Sequence, residues 1–215
     1  MPVSWKWKLA QLLEYQWWQR YLDKKDPKVY LQWKCTYWQN LLLQVSKYIE
    51  MPEGKSILDA GCGPAGIFIV LKGNHVQAID PLLESYKKLD VFMPGKFPWT
   101  QFKQQRIEEL TEENKYDIIF CMNAINHVSD IQLSYDLLVR ALKPGGALAV
   151  SIDAHKFSLL KKIFRAIPGD MLHPHQYSLE EYENFLTSRG CTVSKSILLK
   201  EEKIFDYYIT IARKN

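Results

Sequence analysis

Ile57-Leu58-Asp59-Ala60-Gly61-Cys62-Gly63-Pro64-Ala65-Gly66 is a short apolar run that ends in an acid and opens into three closely spaced glycines. An apolar run followed by G-x-G-x-x-G, here Gly61, Gly63 and Gly66, predicts a strand, a tight turn and the start of a helix near Gly66. Glycine is needed where the backbone turns sharply or must approach a ligand. A second apolar run, Val76 to Asp80, ends in another acid 19 residues after Gly61. An acid at that place is suited to hold the hydroxyls of a ribose.

Outward from this loop, the chain alternates short β-branched runs with helical stretches, which predicts βαβ units and a parallel sheet. Strands are expected at Ser56 to Asp59, Val76 to Asp80, Thr100 to Gln105, Tyr116 to Met122 and Ala147 to Ile152, with helices starting near Gly66, Leu82 and Ile131. A short basic helix is expected over Lys156 to Ala166, and one capped by Ser178 running to Arg189. The runs Thr192 to Leu199 and Ile204 to Ala212 are close enough to form an antiparallel pair. Before the loop, Trp5, Leu9, Leu12, Leu13, Trp17 and Tyr21 form the stripe of a helix over residues 4 to 24, with Ser4 as its N-cap. Asp26-Pro27 starts a second helix carrying Tyr30, Trp33, Tyr37, Leu41, Val45 and Tyr48. The expected fold is α/β: a doubly wound, mostly parallel, seven-stranded Rossmann-like sheet with an N-terminal helical extension and an antiparallel strand pair at the C-terminal end.

The 215 residues suit one α/β domain with a helical extension. The net charge of +4 lies within residues 1 to 55, where nine Lys and Arg face five Asp and Glu. Such a mild excess lacks the basic footprint of a nucleic-acid binder. Cys35, Cys62, Cys121 and Cys191 are far apart and read as reduced thiols, with no metal expected. The N-terminus has no apolar signal core and no stretch of 18 apolar residues occurs, so the expectation is a cytoplasmic protein without stable membrane insertion.

The ligand of the loop can be argued from charge. A dinucleotide pyrophosphate needs free backbone N–H groups at a helix start, and Pro64 removes one. S-adenosylmethionine carries no phosphate, and its cationic end favours a carboxylate such as Asp59. The loop chemistry therefore leans toward S-adenosylmethionine over a nicotinamide cofactor.

The motifs Ile57 to Gly63, Ala78-Ile79-Asp80-Pro81, Tyr116-Asp117-Ile118-Ile119-Phe120 and Leu142-Lys143-Pro144-Gly145-Gly146 together resemble the class I S-adenosylmethionine-dependent methyltransferases. The resemblance is greatest to the small-molecule enzymes of ubiquinone and menaquinone biosynthesis. It implies one methyltransferase domain over 1–215: an N-terminal helical cap over 1–54 and a core over 55–215 with a lid-like insertion near 154–176. It implies transfer of a methyl group from S-adenosylmethionine to a small-molecule acceptor, leaving S-adenosylhomocysteine. The implied cofactor-binding residues are Asp59, Gly61, Cys62, Gly63, Asp80, Pro81, Arg106, Ile107 and Asn123. His127 is the candidate catalytic base, with His155, His173 and His175 as other options. An H-x-H pair at His173 and His175 has spacing for a metal, but no third ligand is evident nearby.

Six of the seven Trp residues lie in the first 38 positions, with Tyr15, Tyr21, Tyr30 and Tyr37. Most of these rings are expected to be ordinary core; the others would shape the acceptor pocket. A non-catalytic interaction protein that binds S-adenosylmethionine and an NAD-dependent oxidoreductase are the competing readings. RNA or protein acceptors are disfavoured by size and charge. A homodimer is left open.

Overall fold

In the computed structural model, residues 5–155, 177–203 and 205–215 are described. Two helices precede the sheet: α1 (Trp5–Leu22) and α2 (Pro27–Val45). Asp26 caps α2, its carboxylate accepting the N–H groups of Lys28 and Val29 at 2.9 Å each, with Pro27 pre-set for the first turn. Ser4, the expected cap of α1, lies outside the described residues.

Seven strands follow: β1 (Ser56–Ala60), β2 (His75–Asp80), β3 (Thr100–Gln104), β4 (Tyr116–Cys121), β5 (Leu142–His155), β6 (Cys191–Glu201) and β7 (Phe205–Lys214). Their order across the sheet is β3-β2-β1-β4-β5-β7-β6. The first five pair in parallel, with Leu58 flanked by Gln77 of β2 and Ile119 of β4. β7 pairs antiparallel with both β5 and β6. This is the expected doubly wound sheet with its antiparallel end.

Successive residues of a central strand enter different cores. Ile57, Ile118, Phe120, Ala147 and Ala149 pack on the face covered by α2 and the segments after β1 and β2. Leu58, Ile119, Leu148, Val150 and Ile152 pack on the other, against α4 (Ile131–Ala141) and α5 (Leu179–Thr187). With both faces covered, the central strands read as continuous apolar runs.

Several expectations need correction. No full helix starts near Gly66: Ile67–Val70 forms one 3₁₀ turn before the chain enters β2 at His75. Ile67, Phe68 and Ile69 are all buried, and a run of β-branched and aromatic residues is a poor helix former. The helix expected near Leu82 is likewise a single turn, α3 (Leu83–Tyr86). β5 runs far beyond Ala147 to Ile152, because its ladder with β7 carries it to His155. Of the N-terminal rings, Tyr30 and Trp38 are buried, whereas Trp5, Trp17 and Trp33 are each more than half exposed. Tyr15, Trp18, Tyr21 and Tyr37 pack against the core beside them, so most of these rings are core, as expected. The basic helix over Lys156 to Ala166, most of the insertion near 154–176, and His173-Pro174-His175 lie outside the described residues.

Candidate active site

β1 and β4 are neighbours from which the chain order runs in opposite directions, and the loops leaving their C-terminal ends flank a crevice, the place where open α/β sheets bind ligands. Gly61 turns there with φ +74°, and a Cβ on it would lie 2.2 Å from the Cβ of Ala124 in the β4 loop. Gly66 is extended, but a Cβ there would meet the Cys62 carbonyl at 2.3 Å and the Asp59 carboxylate at 2.6 Å. The loop is therefore wound tightly over Asp59.

Where the loop's donors go decides what it can bind. The N–H groups of Gly61 and Cys62 both donate to the Ile79 carbonyl, at 2.8 and 3.0 Å. Gly63 N–H donates to Asp80 Oδ2 at 3.0 Å, and Pro64 has none. The 3₁₀ turn beyond spends the Phe68 N–H on Asp59 Oδ2 at 3.0 Å. A pyrophosphate would find the Gly61, Cys62 and Gly63 N–H groups taken and a 3₁₀ turn in place of an α-helix start.

Asp80 lines the cavity. Its carboxylate accepts N–H groups from Leu82 at 2.8 Å and Gly63 at 3.0 Å, yet burial pushes its pKa up to about 6. Pro81 also lines the cavity. Asp59 does not: it is 1% exposed beneath the glycine loop, where burial pushes it to about 7 against the opposing bond from Phe68 N–H. Sequence spacing put Asp59 at the ligand; the fold makes it the post on which the loop is wound, because its side chain enters the turn before reaching the crevice.

Gly61, Cys62, Gly63, Arg106, Ile107, Asn123 and His127 all reach the cavity wall. Arg106 pairs with Glu109 at 2.8 Å and stacks on the Trp7 ring of α1 at 5.4 Å. Asn123 has φ +54°, a left-handed conformation that Asn tolerates better than most residues. Its N–H donates to Ser151 Oγ at 2.7 Å, Ser151 Oγ donates back to Asn123 Oδ1 at 3.1 Å, and Tyr207 hydroxyl donates to Ser151 Oγ at 3.0 Å. β5 and β7 thereby fix the Asn123 amide. The following turn, Ile125–His127, is held by Tyr182 of α5, whose hydroxyl donates to Asn126 Oδ1 at 2.8 Å. His155 is buried at the end of β5 with its ring 4.2 Å from that of Phe205.

The site also contains residues that sequence reasoning missed. Gln105, just past β3, lines the cavity with a buried carbonyl oxygen that has no hydrogen-bond partner. From α1 come Gln11 and Glu14 and from α2 Lys34, beside Trp7, Trp18 and Trp38 of the aromatic set that was expected to supply rings to the pocket. Trp38 pins α2 to the loop by donating its indole N–H to the Ala65 carbonyl at 3.0 Å. The only signal for these residues was that polar Gln11, Glu14 and Lys34 interrupt aromatic helices. Among the described residues no cluster of His, Cys, Asp and Glu could hold a metal ion.

An open sheet in the order 3-2-1-4-5-7-6, with an acid-ended β2 beside a glycine loop whose first N–H groups bond within the chain, defines a doubly wound α/β protein with its ligand crevice at the ends of β1 and β4. A family model described as a methyltransferase domain matches residues 30–196, and the chain belongs to that family. Among curated proteins, the ubiquinone biosynthesis O-methyltransferase of Rickettsia prowazekii is 34% identical over 97 residues, which are 44% of this chain and 38% of the relative. The match thus spans less than half of the relative's length. Among solved structures, the 1,6-didemethyltoxoflavin-N1-methyltransferase of Burkholderia thailandensis, with 1,6-didemethyltoxoflavin and S-adenosylhomocysteine bound, superposes with a TM-score of 0.66 at 16% identity, covering 100% of this chain and 92% of that one. The magnesium protoporphyrin IX methyltransferase of Synechocystis PCC 6803, with S-adenosylhomocysteine bound, gives 0.67 at 18% identity over 94% and 95% of the two chains. At those identities the likeness is one of fold.

Proposed function

We propose that this protein transfers a methyl group from S-adenosylmethionine to a small-molecule acceptor. The observation that carries this reading is the pairing of a cavity-facing Asp80 with a glycine loop whose Gly61, Cys62 and Gly63 N–H groups are already bonded within the chain. That chemistry suits ribose hydroxyls and a cationic ligand and does not suit a pyrophosphate, which weighs against the nicotinamide alternative. The orphaned oxygens of Gln11 and Gln105 fit the same ligand, since a nucleoside brings N–H and O–H donors into the cavity.

In this reading Gly61, Cys62, Gly63, Asp80, Pro81, Arg106, Ile107 and Asn123 bound the cofactor, and Asp59 acts by shaping the loop. The cofactor supplies an activated methyl group, so the protein's work is to align the acceptor and exclude water. Asn123, locked by Ser151 and Tyr207, presents a fixed amide toward the reacting end. His127 on the cavity wall takes the acceptor's proton where that acceptor is a hydroxyl or an acidic carbon. Among the described residues no helix is long and apolar enough to cross a membrane.

Calorimetric titration tests the reading. S-adenosylhomocysteine should bind, NAD should not, and Asp80→Asn should weaken the first by about tenfold to a hundredfold, the worth of a hydrogen bond to a charged group. Tight NAD binding, or indifference to Asp80→Asn, would overturn it. Incubation with labelled cofactor and a panel of small-molecule acceptors separates a methyltransferase from a relative that only binds the cofactor.

A further inference from the structure

The sides of α1 and α2 turned away from the sheet carry large apolar groups in water. Trp17 and Trp33 are each 51% exposed, Val29 69% and Leu43 72%. Trp33 and Leu43 lie four and fourteen residues after Val29, close to whole helical turns, so the three share one stripe of α2. Trp17 joins that stripe through rings: it stacks on Tyr21 at 4.8 Å, Tyr21 meets Tyr30 at 6.2 Å from helix to helix, and Tyr30 meets Trp33 at 5.7 Å. The rim of this patch is basic. Arg20, Lys24, Lys25 and Lys28 are exposed around the turn between the helices, against Asp23 and Asp26. Asp26 is already engaged, its carboxylate accepting two N–H groups of α2. Lys25 lies over the Tyr21 ring at 4.4 Å, and one shallow groove is lined by Lys24 and Lys25 together with Val29 and Trp33. Lys28 lines a second groove with the same Val29 and Trp33.

Single apolar side chains are normal on a surface, whereas a continuous aromatic patch with a charged rim marks an interaction face. The charge decides among occupants. A second copy docked about a two-fold axis would set this basic rim against itself. A protein partner's anchors gather in one well-packed pocket. Here the apolar groups instead run along α2 from Val29 to Leu43, roughly 20 Å, beside shallow grooves. An anionic bilayer answers both features: its headgroups attract the lysines, and its acyl boundary takes the apolar side chains. Trp suits that depth because it has an apolar body and one N–H to leave in water. Neither helix is long and apolar enough to cross a membrane, so the contact is with the surface.

We propose that the outer face of α1 and α2 is a peripheral membrane-binding surface, which lays Trp17, Val29, Trp33 and Leu43 into the interface of an anionic bilayer while Lys24, Lys25 and Lys28 meet its headgroups. The binding is reversible and salt-sensitive, because it rests on a few half-exposed apolar groups and a handful of cations. It is independent of the cofactor reading, since the side chains these helices turn toward the cavity, Gln11, Glu14 and Lys34 among them, are different ones.

Co-sedimentation of the full chain with vesicles tests the proposal, using phosphatidylcholine alone and phosphatidylcholine with about one-third phosphatidylserine. Partitioning onto the anionic vesicles should exceed that onto the neutral ones by about tenfold or more and should fall as salt rises. Replacing Lys24, Lys25 and Lys28 together by Gln should lower it about a hundredfold, since each cation near the surface is worth about fivefold. Val29→Ser with Trp33→Ser should lower it about tenfold. Thermal unfolding without lipid shows whether these variants fold. Trp17→Phe and Trp33→Phe keep the ring packing and give a second readout: each should remove part of the tryptophan fluorescence that brominated lipid quenches. Equal binding to both vesicle types, indifference to the lysine replacements, or quenching unchanged in both Phe variants would overturn the proposal. Self-association that needs Trp33, without vesicle binding, would assign the face to a second copy, and retention of polyglutamate without vesicle binding would assign it to an acidic protein; either result overturns it too.

Discussion

Gly61 is where one methyl group decides the site. Its positive φ is costly for any residue with a Cβ, and the space that Cβ would need is filled by Ala124. Gly61→Ala should therefore destabilise the protein by about 2–4 kcal/mol, combining a left-handed backbone cost with overpacking. Urea unfolding measures the loss. Adding Ala124→Gly should recover the packing part and not the backbone part; complete recovery, or none, would show that the two loops do not press on each other as described. Asn123 poses the opposite case, a left-handed residue that is tolerated because its side chain and N–H are both held by Ser151. The G-x-G-x-x-G spacing and Asp80 were legible from the chain alone because each is a local requirement of a turn or a strand end. The role of Asp59 was not, since its direction depends on a turn that closes around it.

At the level of elements, α5 reaches the reacting side of the sheet through a buried chain of side-chain bonds. Tyr182 donates to Asn126, and Asn126 donates to Asp153 at 3.3 Å at the end of β5. Tyr182→Phe removes the donor and leaves a buried amide oxygen short of a partner, which should cost about 1–3 kcal/mol. Denaturant unfolding gives that number, and a cost near zero would mean that Asn126 finds another donor. Helix starts such as Asp26-Pro27 and Ser178 with Glu181 were readable because caps are written within four residues. The helix expected after Gly66 failed for a local reason joined by a tertiary one: β-branched and aromatic residues 67 to 70 are poor helix formers, and they are buried with the Phe68 carbonyl taken by the Trp99 indole at 2.9 Å. Only one turn fits there before β2 begins.

Across the whole molecule, three carboxyls are held out of water at the crevice or beneath its glycine loop: Glu14 and Asp59 at about 7 and Asp80 at about 6. Each lies above its unfolded value of 4.5 or 3.8, so the folded protein holds protons that the unfolded chain releases. Their stabilising contribution is complete below about pH 4 and is lost as pH rises through 6 to 7. Other carboxyls work in the opposite sense: Asp117 and Glu109 are held below their usual range by Lys143 and Arg106, and they lose stability on acidification. Between pH 5 and 7 the buried set dominates, and the ligand-free protein should lose several degrees of Tm, on the order of 3–8 °C. Glu14→Gln should flatten that slope; a Tm that rises over this range would contradict the burial of these acids.

The chain's own pattern was sufficient for the strand–glycine–acid sequence, the alternation that makes a doubly wound sheet, the helix caps and the kind of ligand the loop prefers, because all of these follow from spacing over a few residues. Tertiary structure alone decided that Asp59 props the loop, that Ser151 and Tyr207 lock Asn123, and that Glu14, Lys34 and Gln11 enter the cavity. The first depends on a turn that closes over nine residues, and the others on residues tens to more than a hundred positions apart meeting at one sheet edge. No local propensity encodes which face of an aromatic helix will be laid against a glycine turn.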